Sequence, residues 1–269
     1  MIGKENIIHK AKETGLLEKR IKQNRNFQQV DLLKWIFDRI KIEPDSKIIE
    51  LCSGTGSQTS CLLDNAGKDG QVIAVDISSQ SIEMLKVKTK GVNYSKLVTV
   101  VSDMDNVNPA LRSQGFRPPY FDLAFCAYGL YYSKDVLTTL KVLKGWLKPK
   151  GRIVIVGPFG SNNSPLFNVL EQGGVSISRY VKHTSGDFMV KDVLPWITNN
   201  YQLTYIHTTV NRIIWNKTED VIEYWKNTTF YDSDKLSIIK KLIDDHIYKY
   251  RRFVNEKHIM MIEASHDEK

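Results

Sequence analysis

Short apolar runs rich in β-branched residues alternate with longer stretches of helical spacing through the first 160 residues of the chain. The runs occupy 47–51, 71–75, 97–101, 121–125 and 152–156. Nearly continuous apolar runs of this length are typical of strands that are buried on both faces of a sheet. The alternation therefore predicts a doubly wound α/β fold with a parallel sheet.

The stretch between the fourth and fifth runs shows how neighbouring strands are connected. Val136, Leu140 and Leu143 mark one face of a helix, and Pro149 and Gly151 follow where that helix must end. A helical crossover of this kind makes the next strand run parallel to the previous one.

After residue 160 the pattern changes. An aromatic-bearing insertion occupies 160–186, and more strands and helices follow it. The strands are predicted at 201–210 and 258–262, and the helices at about 188–198, 218–227 and 234–250. We therefore expect seven strands within a single domain.

Composition places the chain among ordinary folded proteins. Hydrophobic residues make up 42% and charged residues 25% of the 269 positions. The formal charge is +8, but basic and acidic residues are interleaved, as in Lys10 to Glu13, so we expect solvated helix faces and no nucleic-acid partner. No apolar run approaches the roughly 18 residues of a membrane span, so we expect a cytoplasmic protein without a membrane partner.

The cysteines and the aromatic residues lead to different expectations about binding sites. The three cysteines have no spacing typical of metal ligands, so we expect core residues and no metal site. The aromatic residues are unevenly distributed, with 4 before residue 116 and 23 from there on. This asymmetry suggests that the first half binds a cofactor and the second half lines a substrate site.

The strongest candidate chemistry lies at the ends of the first three runs. Gly54 and Gly56 follow the first run and open a helix, where glycines allow the backbone to approach a ligand closely. Asp76 follows the second run, 20 residues after Gly56, where a carboxylate can accept bonds from ribose hydroxyls. Asp103 follows the third run, where the amino group of adenine would need an acceptor.

Two cofactors would suit ribose and adenine sites, and Glu50 distinguishes them. Dinucleotide sites usually have a third glycine or an alanine where this chain has Thr59. Glu50 would also repel a pyrophosphate, whereas it would attract the ammonium group of a methionine moiety. The charge pattern therefore favours S-adenosylmethionine.

Residues from about Ile48 to Gly157 resemble the class I S-adenosylmethionine-dependent methyltransferases, and are most similar to the small-molecule C-methyltransferases of ubiquinone and menaquinone biosynthesis. The segments that carry the resemblance are 50–56 for the first motif, 75–78 for the second, 103–104 for the adenine segment, 121–126 for the fourth strand and 147–152 for the turn before the fifth. Two positions depart from the family pattern, since Cys52 and Lys150 stand where glycine is common.

The resemblance implies a seven-strand sheet whose last two strands form an antiparallel hairpin. It also implies that Glu50 binds the amino group of the cofactor, directly or through water, that Asp76 binds the ribose, and that Ile77 and Asp103 contact the adenine. The full set of cofactor-binding residues expected from these motifs is Glu50, Cys52, Ser53, Gly54, Gly56, Asp76, Ile77, Asp103, Met104 and Ala127.

The acceptor site is predicted from the aromatic segments. We expect a helical substrate cap made by 160–186 and 213–250, and an N-terminal helical lid over 1–45. Tyr128 and Tyr131, after the fourth run, are candidates for stacking on a planar acceptor or donating a hydrogen bond to it. His183 is the candidate general base because it ends the aromatic insertion.

These features predict transfer of a methyl group from S-adenosylmethionine to an aromatic or amphipathic metabolite, by in-line displacement at an O, N or C atom. Two alternatives stay open on sequence grounds. One is a nicotinamide-dependent oxidoreductase, and the other is a catalytically silent methyltransferase-like or RNA-binding module. Neither the acceptor nor the oligomeric state follows from the sequence.

Overall fold

The computed structural model of the chain describes residues 14–90 and 96–265. The strands are β1 (Lys47–Leu51), β2 (Gln71–Asp76), β3 (Leu97–Val101), β4 (Phe121–Ala127), β5 (Leu147–Pro158), β6 (Leu203–Trp215) and β7 (Phe253–Ser265). The helices are α1 (Thr14–Phe27), α2 (Leu32–Phe37), α3 (Ser57–Ala66), α4 (Ser79–Thr89), α5 (Val107–Ser113), α6 (Val136–Trp146), α7 (Ser164–Gln172), α8 (Arg179–Lys182), α9 (Leu194–Asn200), α10 (Thr218–Lys226) and α11 (Leu236–Tyr250).

All seven strands belong to one sheet with the order β3-β2-β1-β4-β5-β7-β6. The first five strands pair in parallel, and the last strands are antiparallel. Along the register, Leu51 pairs with Val75 on one side and with Cys126 on the other, so the carboxyl ends of β1, β2 and β4 reach the same edge of the sheet. The predicted fold class is confirmed.

Contacts within the chain divide it into two compact units. The larger unit consists of Leu32–Gly157, Met189–His207 and Met260–Lys269, and the smaller unit of Met1–Asp31, Pro158–Phe188 and Thr208–Ile259. Each unit is described below by itself.

The larger unit has an aliphatic core around the parallel strands. Ile49 of β1 and Ile73 of β2 are fully buried, and Phe125 of β4 is 1% exposed and stacks on Phe37 of α2 at 6.0 Å between ring centroids. Burying such side chains removes apolar area from water, which stabilises the fold by about 25 cal/mol for each Å². Helices α3 to α6 connect the strands, as the alternating pattern predicts.

The smaller unit has an aromatic core. Trp215 of β6 and Trp225 of α10 are fully buried, and Trp215 contacts the rings of Phe27, Tyr224 and Phe253. Asn211 of β6 ties the end of the N-terminal segment to the strand, because its side chain accepts bonds from the backbone N–H groups of residues 29 and 30. The N-terminal residues of this unit are described only from Thr14 onward, so the first part of the predicted lid over 1–45 lies outside the described residues.

The predicted elements differ from the observed ones mainly in length. Strands β6 and β7 are longer than predicted, since β6 continues to Trp215 and β7 begins at Phe253. The helix predicted at about 188–198 is α-helical only from Leu194, and Met189–Val193 before it is π-helical. No helix in the described ranges combines the length and apolar character required to cross a membrane.

Candidate cofactor site

The chain turns sharply after β1, where the sequence predicts a cofactor-binding loop. Cys52, Gly54 and Gly56 all have positive φ angles, of 58°, 53° and 84°. The N–H of Ser53 donates to the carbonyl of Val75 at 3.1 Å, so the turn starts against the neighbouring strand β2. Backbone in this conformation exposes N–H groups at the start of α3, which is a favourable place for a bound ligand.

Gly56 is required at its position for two reasons. It precedes the first residue of α3 in the left-handed region, which glycine adopts without steric cost. A Cβ atom added there would lie 2.8 Å from Cγ of Leu85 in α4, so the turn packs directly on that helix. The close packing fixes the height of the turn above the sheet.

Glu50 is a buried acid next to this turn. It is 2% exposed, and one of its oxygens accepts a hydrogen bond from the Thr59 hydroxyl at 2.5 Å. Burial raises the pKa of Glu50 to about 8, from an ordinary value of 4.5. Within the described part of the chain, no Lys, Arg or His forms an ion pair with it. The carboxyl group therefore has a position for a cationic partner, while Thr59 holds it in place.

Ser53 has an unsatisfied hydroxyl in the same turn. The residue is 2% exposed, and its Oγ atom has no hydrogen-bond partner among the described residues. A buried hydroxyl without a partner costs free energy, so such atoms commonly contact a bound ligand or water. Glu50 and Ser53 together suit a cofactor that carries a cationic group, for the carboxyl group, and a hydrogen-bond acceptor, for the hydroxyl.

Asp76 connects the turn to the end of β2. Its two oxygens accept backbone hydrogen bonds from Gly54 and Ser78, each at 2.8 Å. Burial raises the pKa of Asp76, and these backbone bonds oppose the shift. Ser78, and not Asp76, caps helix α4, since the Ser78 hydroxyl accepts the bond from the N–H of Ser81. Asp76 is therefore held rigidly, with lone pairs left for further donors.

The residues predicted to contact adenine follow β2 and β3. Ile77 is 42% exposed although it is a large apolar side chain, which is consistent with an apolar ligand face. Asp103 caps the short 3₁₀ turn that begins at the buried Met104, and its carboxylate accepts bonds from the backbone and side chain of Asn106. The structure thus gives Asp103 a structural role, and its adenine contact stays a prediction.

The segment after β4 has an unusual backbone. Tyr128, directly after Ala127, is a non-glycine residue with a φ angle of 57°, and its N–H donates to the carbonyl of Val156 at 2.8 Å. Non-glycine residues in this region are strained and are frequent at functional sites. Tyr131 and Tyr132 follow in a 3₁₀ turn, with an edge-to-face contact of 4.6 Å between ring centroids.

Cys52 and Gly129 form a tightly packed pair at the ends of β1 and β4. A Cβ atom added at Gly129 would overlap both Cβ and Sγ of Cys52, and would lie 3.7 Å from Sγ of Cys126. The hydrogen bond with Cys126, together with burial, raises the pKa of the Cys52 thiol well above its ordinary value. Cys52 is therefore a protonated packing group in this turn.

Asp105 is a residue that the sequence analysis missed. Its carboxylate accepts bonds from the Ser133 hydroxyl at 2.5 Å, the Thr139 hydroxyl at 3.2 Å and the backbone N–H of Lys134. Burial opposes the charged form, but these bonds outweigh it and lower the pKa of Asp105. The residue connects the turn after β3 to the tyrosine-bearing turn after β4. Its only sequence signal is its position two residues after Asp103.

The ten predicted cofactor-binding residues and the two candidate tyrosines all belong to the larger unit. The structure directly joins Gly54 with Asp76, and it places the other acids at the ends of neighbouring strands. His183 belongs to the smaller unit, where it begins a π-helical segment and contacts the ring of Phe188 edge-to-face. π-Helical turns are frequent at functional sites, but the catalytic role of His183 stays a prediction.

Comparisons with known proteins fall on the same part of the chain. Residues 49–155 match the model of a family described as a methyltransferase domain. A demethylmenaquinone methyltransferase of Staphylococcus saprophyticus is 34% identical over 121 residues, which cover 45% of this chain and 48% of that protein. Another, from Lactococcus lactis, is 32% identical over 109 residues, which cover 40% of each protein.

The fold is shared more widely than the sequence. A crystal structure from Bacillus halodurans, described as that of a methyltransferase, superposes with a TM-score of 0.62 at 13% identity over 88% of this chain and 99% of that one. The chain spans about half or less of the length of the two demethylmenaquinone methyltransferases that it matches. The matched segment includes Glu50, Asp76, Asp103 and the tyrosines after β4.

Proposed function

We propose that this chain, whose residues 49–155 match a methyltransferase domain, is a class I S-adenosylmethionine-dependent methyltransferase that transfers a methyl group from that cofactor to a small or medium-sized aromatic or amphipathic metabolite. The observation that carries the proposal is the buried Glu50 carboxyl group. A buried acid is costly in its charged form, and Lys88 is the weakest of the groups that act on the pKa of Glu50. The ammonium group of S-adenosylmethionine would place a positive charge directly next to the carboxyl group.

The other groups of the turn fit the remaining parts of the cofactor. The unsatisfied Ser53 hydroxyl can donate to the carboxylate of the methionine moiety, and Asp76 can accept bonds from the ribose. The exposed side chain of Ile77 offers an apolar surface to the adenine ring. A pyrophosphate would instead meet the acidic pair Glu50 and Asp76, which disfavours a nicotinamide dinucleotide.

When bound, S-adenosylmethionine supplies an electrophilic methyl group on a sulfonium ion. Residues of this chain then have to place a nucleophilic atom of the acceptor in line with the methyl group at roughly 3 Å, and such positioning contributes much of the acceleration. We propose that Tyr128 and Tyr131 orient the acceptor, and that the tie between Asp105 and Ser133 keeps their turn in one conformation. His183 is the candidate base that removes a proton from acceptors that must lose one.

The acceptor is proposed to be quinone-like. Two relatives named demethylmenaquinone methyltransferases support this, although each is matched over less than half of its length. The aromatic side chains of Tyr131 and Tyr132 also suit stacking on a planar ring. Incubation of the protein with S-adenosylmethionine and a demethylated naphthoquinol should yield a product in which a methyl group replaces a hydrogen, so its mass in mass spectrometry rises by one CH2 unit. An unchanged naphthoquinol would exclude this acceptor class.

The cofactor is tested by thermal unfolding. S-adenosylmethionine and S-adenosylhomocysteine should raise the melting temperature, because a ligand that binds only the native state stabilises it by mass action. NAD should not. Stabilisation by NAD alone would contradict the proposal.

The role of Glu50 is tested separately with Glu50→Gln, which keeps the shape of the side chain and can still accept from Thr59. We expect its affinity for S-adenosylmethionine to fall at least tenfold in calorimetric titration, because an interaction with a charged group is worth about 1.5–3 kcal/mol. Asp69→Asn, which removes an exposed acid after α3, is the matched control and should bind normally. Equal affinities of the two variants would show that Glu50 does not bind the cofactor.

A further inference from the structure

The side chain of Lys257, on β7, contacts neutral groups of the smaller unit. Its Nζ atom donates to Oδ1 of Asn163 at 2.5 Å and to the hydroxyl of Tyr224, and lies 4.7 Å from the centroid of the Tyr224 ring. Over the described ranges, no carboxylate forms an ion pair with it. The side chain is partly buried, so water screens its charge only in part.

Asn163 holds this lysine in a fixed place. It has a φ angle of 64°, and its N–H donates to the carbonyl of Glu256 at 2.8 Å, which anchors the residue to β7. Its Oδ1 atom accepts from Lys257 and also from Nδ2 of Asn255 at 2.9 Å. Because a lysine ammonium can only donate, the atom that it contacts on Asn163 must be the oxygen.

Asn255 therefore has a defined orientation with one unsatisfied atom. Its Nδ2 must face the Asn163 oxygen, so its own Oδ1 points elsewhere. Asn255 is fully buried, and its Oδ1 has no hydrogen-bond partner in the described part of the structure. A fully buried acceptor without a donor is rare in native proteins.

An unsatisfied donor lies against the same tyrosine. Trp215 is fully buried, and its Nε1 has no partner among the residues that the structure describes. The Trp215 ring contacts the Tyr224 ring at 5.2 Å between centroids. Tyr224 is itself 5% exposed, and because its hydroxyl oxygen accepts from Lys257, its proton is available to donate.

The unused groups of this cluster define the ligand that it lacks. Lys257 has a positive charge without a counter-charge and one N–H that remains free to donate. The Tyr224 hydroxyl and the Trp215 indole N–H can also donate. These groups would be satisfied by a hydrogen-bond acceptor with negative charge. From these groups we propose that Lys257, Tyr224, Trp215 and Asn255 form a binding site for an oxyanion, the phosphate or carboxylate group of a small molecule. A water molecule could satisfy the orphan atoms, but it would leave the ammonium without a counter-charge.

Asn255 favours an oxyanion that still carries a proton. Its unsatisfied oxygen needs a donor, and the P–OH group of a hydrogen phosphate provides one beside the oxygens that would accept from Lys257. A carboxylate would satisfy the donors and leave Asn255 to a water molecule. The site lies wholly within the smaller unit and does not depend on the proposed methyl transfer.

The test uses inorganic phosphate and acetate as probes, without any methyl donor. Each is titrated into the full chain against sodium chloride of equal ionic strength, because a protein of charge +8 responds to salt in general. We expect at least one probe to raise the melting temperature beyond chloride and to shift the indole N–H resonance of Trp215, identified with Trp215→Phe. The probe that acts distinguishes a phosphate from a carboxylate ligand, and no effect of either would overturn the proposal.

Two variants locate the effect. Lys257→Met should weaken binding of the active probe at least tenfold, whereas Lys249→Met, which removes an exposed lysine that lies over the ring of Tyr250, should leave it unchanged. Asn255→Asp puts a carboxylate in place of the amide that shares the Asn163 oxygen with Lys257, and it should abolish the response to the probe while the protein remains folded in the absence of the probe. This variant keeps the test decisive if Lys257→Met fails to fold. An unchanged response in Asn255→Asp, or in a folded Lys257→Met, would overturn the proposal.

Discussion

The two units satisfy their buried polar groups in different ways. In the larger unit, backbone N–H groups or short side chains nearby hold the acids, as Gly54 and Ser78 hold Asp76 and Thr59 holds Glu50. In the smaller unit, Lys257 and Asn255 share one amide oxygen. Buried atoms without a partner occur in both units, at Ser53 in the larger one and at Asn255 and Trp215 in the smaller one. The first arrangement depends on strand ends, whose position a sequence pattern predicts. The second depends on side chains from distant segments, which it does not.

The largest expected effect tests whether the two units support separate properties. Trp225→Ala removes a fully buried ring from the smaller unit and should lower the free energy of unfolding by about 3–5 kcal/mol. Its affinity for S-adenosylmethionine, measured at a temperature where it stays folded, should remain within twofold of the parent. A large loss of affinity would show that cofactor binding in the larger unit requires the packing of the smaller one.

A second prediction concerns catalysis. If His183 is the base, His183→Ala should lower turnover with the true acceptor roughly 10²-fold at neutral pH and leave cofactor affinity intact. Tyr131→Phe provides the comparison in the larger unit, because it removes only a hydroxyl group. Steady-state kinetics and calorimetry together separate the two roles. An unaltered rate in His183→Ala would mean that positioning alone carries the reaction.

The third prediction concerns the hydrogen bonds that Asp76 accepts at the end of β2. Asp76→Ala removes the acceptor of the Gly54 N–H and the proposed acceptor of the ribose, and the loss of such bonds costs about 1.5–3 kcal/mol. Calorimetric titration should show an affinity for S-adenosylmethionine at least tenfold weaker, with an unchanged circular dichroism spectrum. Unchanged affinity would show that the ribose is bound by other residues.

The last prediction follows from the raised pKa of Glu50. Its effect, the change in the free energy of unfolding per pH unit, is the smallest of the four. Between pH 4.5 and about 8 the folded, cofactor-free protein retains a proton that the unfolded chain has released, so this group's contribution to stability falls as pH rises. The slope is at most about 1.4 kcal/mol per pH unit. Urea unfolding at pH 5 and pH 8 should show a smaller difference for Glu50→Gln than for the parent. Equal differences would place the pKa of Glu50 near its ordinary value.

The sequence predicted the strands of the larger unit well, and the predicted site residues follow the pattern of those strands. Glu50, Gly54 and Asp76 stand at the ends of apolar runs, and the parallel register brings those ends to one edge. Thr59 was noticed only as a departure from a dinucleotide motif, because its bond to Glu50 depends on how α3 packs on β1. A pattern of residue types contains no information on such a contact.

The smaller unit was predicted less completely for a related reason. Strand β7 was expected only over 258–262, because Asn255 and Lys257 interrupt the apolar alternation that marks a strand. Both residues lie on the same face as the buried Phe253, where polar side chains are unusual. Their position became informative only when the structure showed what each one contacts. The acceptor cap over 160–186 and 213–250 stays a prediction.

The pair formed by Cys52 and Gly129 constrains how this chain can change by mutation. Because the cysteine side chain fills the space next to residue 129, even alanine at that position would clash while Cys52 is present. Replacement of Cys52 by glycine removes the side chain that fills this space, and it suits the φ angle of 58°. The two substitutions therefore have an order: position 52 must shrink before position 129 can grow, and the reverse route passes through an overpacked intermediate.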